Sequence, residues 1–395
     1  MIVSFDEAQR ILAEVVQPLA GQRVALSDAA GRVLAEPLLA RNDAPRRGVS
    51  AMDGYAVANE TTGPEQSLRL IGESRAGAGF AGHVGAGEAV RIFTGAPMPE
   101  GTDRCIMQEY AHVEGGRVRF AAGYGPGWHV RAAASDFRAG ELLLAAGTLL
   151  SPQAMIAAAA ADVASVAVAA QPRMTIIATG DELAAPGSAH LHRDAVPESV
   201  SLGVAAMARL HGALVTQRLT GIDDLATLSA LAGEALAHSD LIVVAGGASV
   251  GDRDFAKPMF ADHGLDLLFS KVAIKPGKPV WIGRADGKWV AGLPGNPTSA
   301  MVTARLFLLP LLARLQGRAI SDAMRWRTLP LAGPLAATGT RETFVRARWD
   351  DAGLTPLANQ DSGAQAALAA ADWLIRCPPG QPARGAGETV TALLL

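Results

Sequence analysis

Residues 241–252 read Leu-Ile-Val-Val-Ala-Gly-Gly-Ala-Ser-Val-Gly-Asp, an apolar run followed directly by a glycine-rich turn. Consecutive apolar residues rich in β-branched side chains are typical of a strand that is buried on both faces. Similar runs occur at residues 174–178 and 289–292, and the segments near 201–211 and 225–238 repeat apolar residues at helical spacing. This alternation of strands and helices predicts a doubly wound parallel sheet.

The chain has different patterns on the two sides of this α/β stretch. Ser4 and Glu7 form a capping box before an amphipathic helix that ends near Pro18, and a second helix is expected at 151–161. The intervening region has short alternating runs between glycines and prolines, and so does the end of the chain. We therefore predict a discontinuous linking domain at 1–21 and 141–172, a β-rich domain at 22–140, an α/β domain at 173–317 and a small β-barrel or sheet domain at 318–395.

Length and composition exclude several classes of protein. At roughly 150 residues per domain, a chain of 395 residues is expected to form several domains. Its 49% hydrophobic and 18% charged residues argue against disorder, and a net charge of −3 gives no general field for nucleic acid or membrane binding. Two cysteines cannot form a disulfide framework, and the first helix carries charges rather than a signal-peptide core, so a cytoplasmic location is expected.

The glycine-rich turn after residue 245 has two interpretations. Gly247, Ser249 and Gly251 match the G-x-S-x-G nucleophile elbow of hydrolases, which makes a serine esterase a candidate. That fold needs a later histidine, and the only histidine after Ser249 is His263, within the next predicted helix. Because glycine turns also direct backbone N–H groups at phosphate, we favour an anion-binding turn over a nucleophile.

Acidic residues follow several of the predicted strands, at Asp181, Glu182, Asp223 and Asp254. In open α/β sheets the ligand binds beyond the carboxyl ends of the strands, where these side chains are expected to meet. Carboxylates gathered in one crevice favour a hard cation such as Mg²⁺. The alternative is that Asp223 and Asp254 only cap the helices that follow them.

Basic and hydroxyl side chains occupy two other loops. Lys275 and Lys278 lie in a proline-stiffened stretch that ends at Pro279, which favours an oxyanion site. The turn at residues 293–299 presents hydroxyls at the start of a helix and is also expected to face an anion. Asp53 lies in an Asp-Gly turn and Thr94 follows a strand, and spacing alone permits a structural role for both.

Six segments together resemble the molybdopterin molybdenumtransferase family, the molybdenum insertases that include the E domain of gephyrin. They are residues 50–57, 93–101, 178–183, 246–254, 271–279 and 293–299. The resemblance implies an elongated homodimer with a discontinuous linking domain, a β-rich domain, an α/β domain and a C-terminal β-barrel. It also implies that adenylylated molybdopterin is bound, that molybdate is inserted at its dithiolene, and that AMP is released with a divalent cation.

The same resemblance implies roles for individual residues. Those expected in catalysis are Asp53, Thr94, Asp136, Glu182, Asp223 and Asp254, with the last three holding Mg²⁺. Those expected to bind the pterin nucleotide or molybdate are Gly180, Asp181, Gly246, Gly247, Ser249, Gly251, Lys275, Lys278, Pro279, Gly295, Asn296, Pro297, Ser299, Arg346 and Ser362. Asp53 and Thr94 would approach from the β-rich domain of the partner subunit. The implied partners are a client molybdoenzyme or an upstream adenylyltransferase.

Two departures from the family pattern leave a second interpretation open. Alanines at 132–134 precede Asp136 where the family has a basic, flexible segment, and Val200 stands where it has an amide. These changes motivate a non-catalytic paralogue that holds the pterin or the finished cofactor for a client molybdoenzyme.

Overall fold

The α/β region forms a mixed six-stranded sheet with helices on both faces. The computed structural model describes residues 2–246 and 255–395. In spatial order the strands are Leu214–Gly221, Arg173–Thr179, Leu241–Ala245, Lys288–Leu293, Trp281–Ala285 and Asp266–Phe269. The first four are parallel, as predicted, and the last two are antiparallel to their neighbours.

The antiparallel end of the sheet was not predicted, and a tight turn produces its first reversal. Residues 271–285 contain three short strands, Lys271–Val272, Ile274–Lys275 and Trp281–Ala285. Asp286 and Gly287 both adopt positive φ, 46° and 74°, and join Trp281–Ala285 to Lys288–Leu293. A two-residue Asp-Gly turn with both residues left-handed matches the twist of a β-hairpin, so this end of the sheet reverses direction.

Alternate residues of each central strand contact helices on opposite faces of the sheet. Val243 packs in the cluster that contains helix Val200–Leu210 and the long helix of residues 297–315. Ile242 and Val244 pack in the cluster that contains helix Leu225–His238 and the 3₁₀ helix Pro258–His263. Period-2 alternation in a strand therefore buries both faces and explains the continuous apolar run.

The long helix is part of the main core. It comprises Pro297–Thr303, a π-helical stretch at Ala304–Leu308, and Leu309–Leu315. By length and composition this helix could cross a membrane, but 89% of its most apolar window is buried inside the protein. That burial is expected of a core helix.

The N-terminal helix packs on the α/β core rather than on the second predicted helix. Phe5–Val15 is capped by Ser4, whose Oγ accepts from the Glu7 N–H at 3.1 Å. The ring of Phe5 meets Phe307 and Phe344 at centroid distances of 5.9 and 5.1 Å. The alanine-rich helix Pro152–Ala160 packs in a separate cluster. The two helices of the expected linking domain therefore pack in different cores, and the aromatic cluster around Phe5 holds the first of them.

Strand pairs connect the segments that flank the β-rich region. They are Gly21–Ala25 with Ser165–Ala169 and Leu38–Leu39 with Leu142–Leu144. The β-rich region itself has a six-stranded sheet in the order Arg104–Met107, Gly54–Val57, Glu88–Ile92, Ser67–Ser74, Arg117–Phe120 and Ala111–Glu114. The short strands expected between residues 22 and 140 are confirmed, and the four domain boundaries stay a prediction.

The C-terminal region forms a small closed sheet. Its strands are Arg327–Pro330, Thr389–Leu394, Trp373–Cys377, Glu342–Asp350 and Gly353–Pro356. A bridge between Leu331 and Leu354 joins the first strand to the last. The barrel is thus closed. The strand Ile274–Lys275 of the basic loop pairs in parallel with the start of strand Glu342–Asp350, at Glu342 and Thr343.

Shorter elements complete the described chain. The paired short strands are Ile2–Val3 with Lys271–Val272, Val49–Ser50 with Val130–Arg131, and Leu183–Ala184 with Val196–Pro197. The 3₁₀ turns are Leu26–Asp28, Asn59–Thr61, Gln108–Tyr110 and Ala189–Leu191, and the short helices are Ile320–Ala323 and Gln365–Ala369.

Candidate functional site

A cavity of about 610 Å³ lies at the carboxyl ends of the parallel strands, and we call it the strand-end cavity. It begins at Thr179 and Ala245, which end two neighbouring strands. The predicted site residues that line it are Gly180, Glu182, Asp223, Gly246, Pro279, Gly295, Asn296 and Pro297. The carboxyl edge of the sheet therefore gathers residues from the loops after its four parallel strands, as those strands predict, together with Pro279 of the basic loop.

Two glycines let the backbone approach closely at this edge. A Cβ atom on Gly246, whose φ is +111°, would lie 2.7 Å from the carbonyl oxygen of Thr179. A Cβ atom on Gly180, whose φ is +152°, would lie 2.6 Å from Oε2 of Glu182. Only glycine fits both positions. At the cavity wall the Glu182 carboxylate therefore lies close against the backbone of Gly180.

The acidic loops are tied to each other by a hydrogen bond. Oδ1 of Asp181 accepts from the backbone N–H of Asp223 at 2.9 Å. The next residue, Asp224, caps helix Leu225–His238 by accepting from the N–H and hydroxyl of Thr227 at 2.8 and 2.7 Å. Both bonds lower the pKa of Asp224, and the bond from the Thr227 hydroxyl has the larger effect. The hypothesis that Asp223 caps this helix is therefore wrong, and Asp223 lines the cavity instead.

The residues present fit a cation that is held partly by substrate phosphates. Mg²⁺ is commonly bound by one or two carboxylates together with phosphate oxygens, and Glu182 and Asp223 both line the cavity. Within residues 2–246 and 255–395 there is no group of three or more Asp, Glu, His or Cys side chains that could hold a metal by themselves. The third predicted ligand, Asp254, lies outside the described residues, as do Gly247, Ser249 and Gly251.

A second cavity, of about 1120 Å³, lies between the basic loop and the C-terminal barrel. We call it the lysine cavity. The predicted site residues that line it are Lys275, Lys278, Pro279, Ser299 and Ser362. Arg341 adds a further cation to its wall and Asp361 adds one carboxylate. This excess of basic side chains suits an oxyanion.

The two cavities adjoin each other. Pro279 lines both of them. Asn296 of the strand-end cavity donates from Nδ2 to Oγ of Ser362 in the lysine cavity at 3.1 Å. The carbonyl of Ser362 accepts from the N–H of Thr298 at 3.1 Å. One ligand can therefore contact both walls across this short boundary.

Arg346 lies beneath the loop that carries Ser362 rather than in a cavity wall. It is 1% exposed, and burial lowers its pKa. Its guanidinium donates to the carbonyls of Asn359 at 3.1 Å and Asp361 at 3.0 Å, and to Oγ1 of Thr298 at 3.2 Å. The arginine thus fixes the loop against the start of the long helix.

Asp53 and Thr94 lie together in the β-rich region. Oδ1 of Asp53 accepts from the Thr94 N–H at 2.7 Å and from its hydroxyl at 2.8 Å, and these bonds hold the pKa of Asp53 below its ordinary value. Ala134, two residues before Asp136, has a φ of +55°. The backbone N–H of Asp136 donates to the carbonyl of Ala44. In the part of the chain that the structure describes, none of these three lines either cavity.

Two glutamines near the boundary were missed at the sequence level. Gln360 lines the lysine cavity, where its Oε1 accepts from the Arg346 N–H at 3.0 Å and its Nε2 donates to the Arg346 carbonyl at 2.8 Å. Gln365 lines the strand-end cavity. The polar run Asn359-Gln360-Asp361-Ser362-Gly363 is a turn signal that could have drawn attention to this loop.

Family models cover nearly the whole chain. The MoeA N-terminal region (domain I and II) matches residues 3–161, the probable molybdopterin binding domain matches residues 175–314, and the MoeA C-terminal region (domain IV) matches residues 328–395. The three matches follow one another in the order expected of a multidomain enzyme.

Similar proteins agree with these matches. A molybdopterin molybdenumtransferase of Haemophilus influenzae is 32% identical over 87% of this chain and 84% of its own length. Molybdopterin molybdenumtransferase 2 of Mycobacterium tuberculosis is 34% identical over 88% of both chains. A molybdopterin biosynthesis moeA protein from Pyrococcus horikoshii OT3 has the same fold, with a TM-score of 0.85, 25% identity and full coverage of both chains.

The fold and the similar proteins define a transferase of molybdenum cofactor biosynthesis. The chain belongs to the molybdopterin molybdenumtransferase family. The resemblance found in the sequence, the predicted fold class and the prediction of an enzyme are thereby confirmed.

Proposed function

We propose that the protein binds adenylylated molybdopterin in the strand-end cavity and molybdate in the lysine cavity, and that it inserts molybdenum with release of AMP. The observation that carries this proposal is the shared boundary at Pro279 and at the hydrogen bond from Asn296 to Ser362. A pterin lying across that boundary has its nucleotide end beside carboxylates and its dithiolene beside lysines.

The strand-end cavity supplies contacts for the phosphoanhydride. Backbone at Gly180, Gly246 and Gly295 lines it, and glycine turns can direct N–H groups at phosphate oxygens. Glu182 and Asp223 would hold the divalent cation, which neutralises phosphate charge when it is bound. In the reaction one P–O bond of the anhydride breaks, AMP leaves as the phosphate monoester, and an oxygen nucleophile takes its place on the pterin phosphate.

The lysine cavity supplies contacts for the oxyanion. Lys275 and Lys278 place positive charge at the wall, and the hydroxyls of Ser299 and Ser362 are suited to donating to molybdate oxygens. Arg346 would act through the loop it supports, because its guanidinium is already bonded to that loop and is buried. Two Mo–S bonds form as the two S–H bonds of the dithiol break, and one oxygen of molybdate leaves with those two protons as water.

The assembly and location remain part of the proposal. Asp53, Thr94 and Asp136 line neither cavity within residues 2–246 and 255–395, and a homodimer in which the partner's β-rich domain reaches the site would give them a role. Cys105 and Cys377 are both buried and free, as expected in a reducing cytoplasm.

The direct test is release of AMP. Purified protein with adenylylated molybdopterin, Mg²⁺ and molybdate is expected to release AMP and to form the molybdenum-loaded pterin. Omission of molybdate and chelation of Mg²⁺ are the two controls. Absence of AMP release by folded protein under these conditions would contradict the proposal.

The non-catalytic paralogue is supported by one observation. Val200, which replaces the amide of the family pattern, lines the strand-end cavity beside Ser199. A binding protein would retain pterin tightly without releasing AMP, so the same assay separates the two hypotheses.

The serine esterase has less support. Nδ1 of His263 lies 2.8 Å from Asp286, in the turn that precedes the amino end of strand Lys288–Leu293. That edge of the sheet is opposite the carboxyl edge, where Ala245 ends its strand. Hydrolysis of an activated ester that is lost in Ser249→Ala would be needed to revive this hypothesis.

A further inference from the structure

A third cavity, of about 550 Å³, lies away from the two already described. We call it the junction cavity because three parts of the chain line it. They are the neighbouring segments at Gly31 and Leu149, the long core helix at Arg305, and the C-terminal region at Arg318, Trp373 and Leu394. A cavity at the meeting point of domains is a common location for a ligand site.

Its wall carries a large excess of positive charge. Arg305, Arg318, Arg325 and Arg327 line it, and Asp322 is the carboxylate in the same wall. Asp322 is 4.0 Å from Nε of Arg318, at the limit of an ion pair. Over the described residues, no ion pair to a carboxylate is found for Arg305, Arg325 or Arg327.

Two of these arginines are poorly compensated. Arg305 is 7% exposed; its Nε donates to the carbonyl of Leu394 at 2.6 Å. Among the described residues, its Nη1 contacts the sulfur of Met324 at 3.7 Å. Burial lowers its pKa to about 10. Nε of Arg318 is buried and has no hydrogen-bond acceptor. Burying charge in this way is unfavourable unless a counter-charge is bound.

Apart from His211 and Gln316, the side chains of the remaining wall are apolar. Leu149, Leu210 and Leu394 are 39%, 84% and 55% exposed, and Trp373 lies beside them. A bare inorganic ion would leave this surface uncovered. An anion with an organic group attached would satisfy both parts of the wall, because guanidinium binds phosphate oxygens through paired N–H groups.

We propose that the junction cavity binds a phosphate ester, with Arg305 and Arg318 contacting the phosphate and the leucines and Trp373 contacting the organic group. This site is separate from the cavities assigned to the pterin and molybdate. The inference does not depend on the proposed reaction, because it uses only residues that line neither of those cavities.

Thermal unfolding with AMP as the probe tests the proposal without Mg²⁺ or molybdate. A ligand that binds only the folded protein raises Tm as its concentration rises. AMP is also the proposed product at the strand-end cavity, so the junction variants are compared in an Asn296→Ala background, which alters the strand-end cavity. AMP is expected to raise the Tm of both the wild type and Asn296→Ala. In Arg318→Gln the AMP affinity is expected to fall about tenfold or more, since one charged hydrogen-bonding group is lost. Adenosine, which lacks the phosphate, is expected to have no effect.

The unliganded variants add a second readout. Arg318→Gln removes a half-buried charge whose Nε has no hydrogen-bond acceptor, and it is expected to keep or raise the Tm without AMP. Arg209 is an exposed arginine at the end of helix Val200–Leu210. Arg209→Gln is the matched control, and its Tm should equal that of the wild type. If Arg318→Gln does not fold, the exposed Arg325→Gln is expected to weaken AMP binding instead.

Three results would overturn the inference. The first is no Tm rise of the wild type at millimolar AMP. The second is a full AMP effect in Arg318→Gln, or a fall of its unliganded Tm as expected for a structural ion pair with Asp322. The third is an equal effect of inorganic phosphate and AMP, which would remove the role of the apolar wall.

Discussion

The side-chain amide of Asn296 donates a hydrogen bond of 3.1 Å to the hydroxyl oxygen of Ser362. Asn296 precedes the long core helix, and Ser362 lies in the loop beneath the barrel, so residues that are far apart in the chain meet at the boundary of two cavities. The hydrogen bond therefore connects the turn at residues 293–299, which is of a phosphate-binding type, to the loop that carries Ser362 beside the lysines.

The first prediction concerns coupling across this boundary. Asn296→Ala and Ser362→Ala are each expected to raise the KM for molybdate, and the double variant should lose less than the sum of the two. A coupling of about 0.5–1.5 kcal/mol is expected for a single neutral hydrogen bond. The measurement is AMP release against molybdate concentration for the four proteins. Strictly additive effects would show that the contact does not link the cavities.

The second prediction separates two adjacent aspartates. Asp223→Asn is expected to raise the Mg²⁺ concentration needed for half-maximal AMP release by about tenfold or more, because one carboxylate of the cavity wall is lost. Asp224→Asn should leave activity unchanged, since asparagine caps a helix as well as aspartate. Titration of activity with Mg²⁺ distinguishes them. Equal losses in both variants would contradict the assignment.

The third prediction concerns Arg346. Lysine cannot reproduce a planar guanidinium that donates to several acceptors, so Arg346→Lys is expected to lower the apparent free energy of unfolding by about 2–4 kcal/mol. The KM for molybdate should rise as the loop carrying Ser362 loosens. Arg348→Lys, exposed on the same strand, is the control. An unchanged denaturation midpoint in Arg346→Lys would refute the positioning role.

The fourth prediction concerns the pH dependence of Asp53. Its pKa lies below the ordinary value because the N–H and hydroxyl of Thr94 bond to the carboxylate. The stabilising contribution is therefore present above the ordinary aspartate pKa and is lost as the pH falls through the lower pKa of the folded protein. Thr94→Val removes the hydroxyl bond and should raise this pKa, as measured by NMR titration of the carboxyl carbon. Thr102→Val is the control, since Thr102 bonds instead to Pro99.

The sequence was sufficient where a feature depends on adjacent residues. Strand Leu241–Ala245 and helix Leu225–His238 follow from local periodicity, and Ser4 follows from capping chemistry. The hairpin at Asp286 and Gly287 also had a local signal, because two suitable strands flank an Asp-Gly pair. Likewise, Asp224 directly precedes its helix and could have been chosen as the cap.

Features that depend on tertiary contacts were not predictable in this way. Nothing near Arg346 in the sequence indicates that it bonds to carbonyls of residues 359 and 361 instead of facing a cavity. The packing of Phe5 against Phe307 and Phe344 likewise joins segments that are remote in the chain. The pairing of strand Ile274–Lys275 with the barrel strand Glu342–Asp350 is a further long-range contact, and it brings the lysines to the boundary of the two cavities.

The central claim is that an oxyanion binds between the basic loop and the barrel, next to the strand-end cavity. Crystals soaked with tungstate, an anion of nearly the same size and charge as molybdate, test it through anomalous scattering. We expect a tungsten peak in the lysine cavity within contact distance of Lys275 or Lys278 and of Ser362. A peak elsewhere on the protein, or a lysine cavity that stays empty at saturating tungstate, would contradict it.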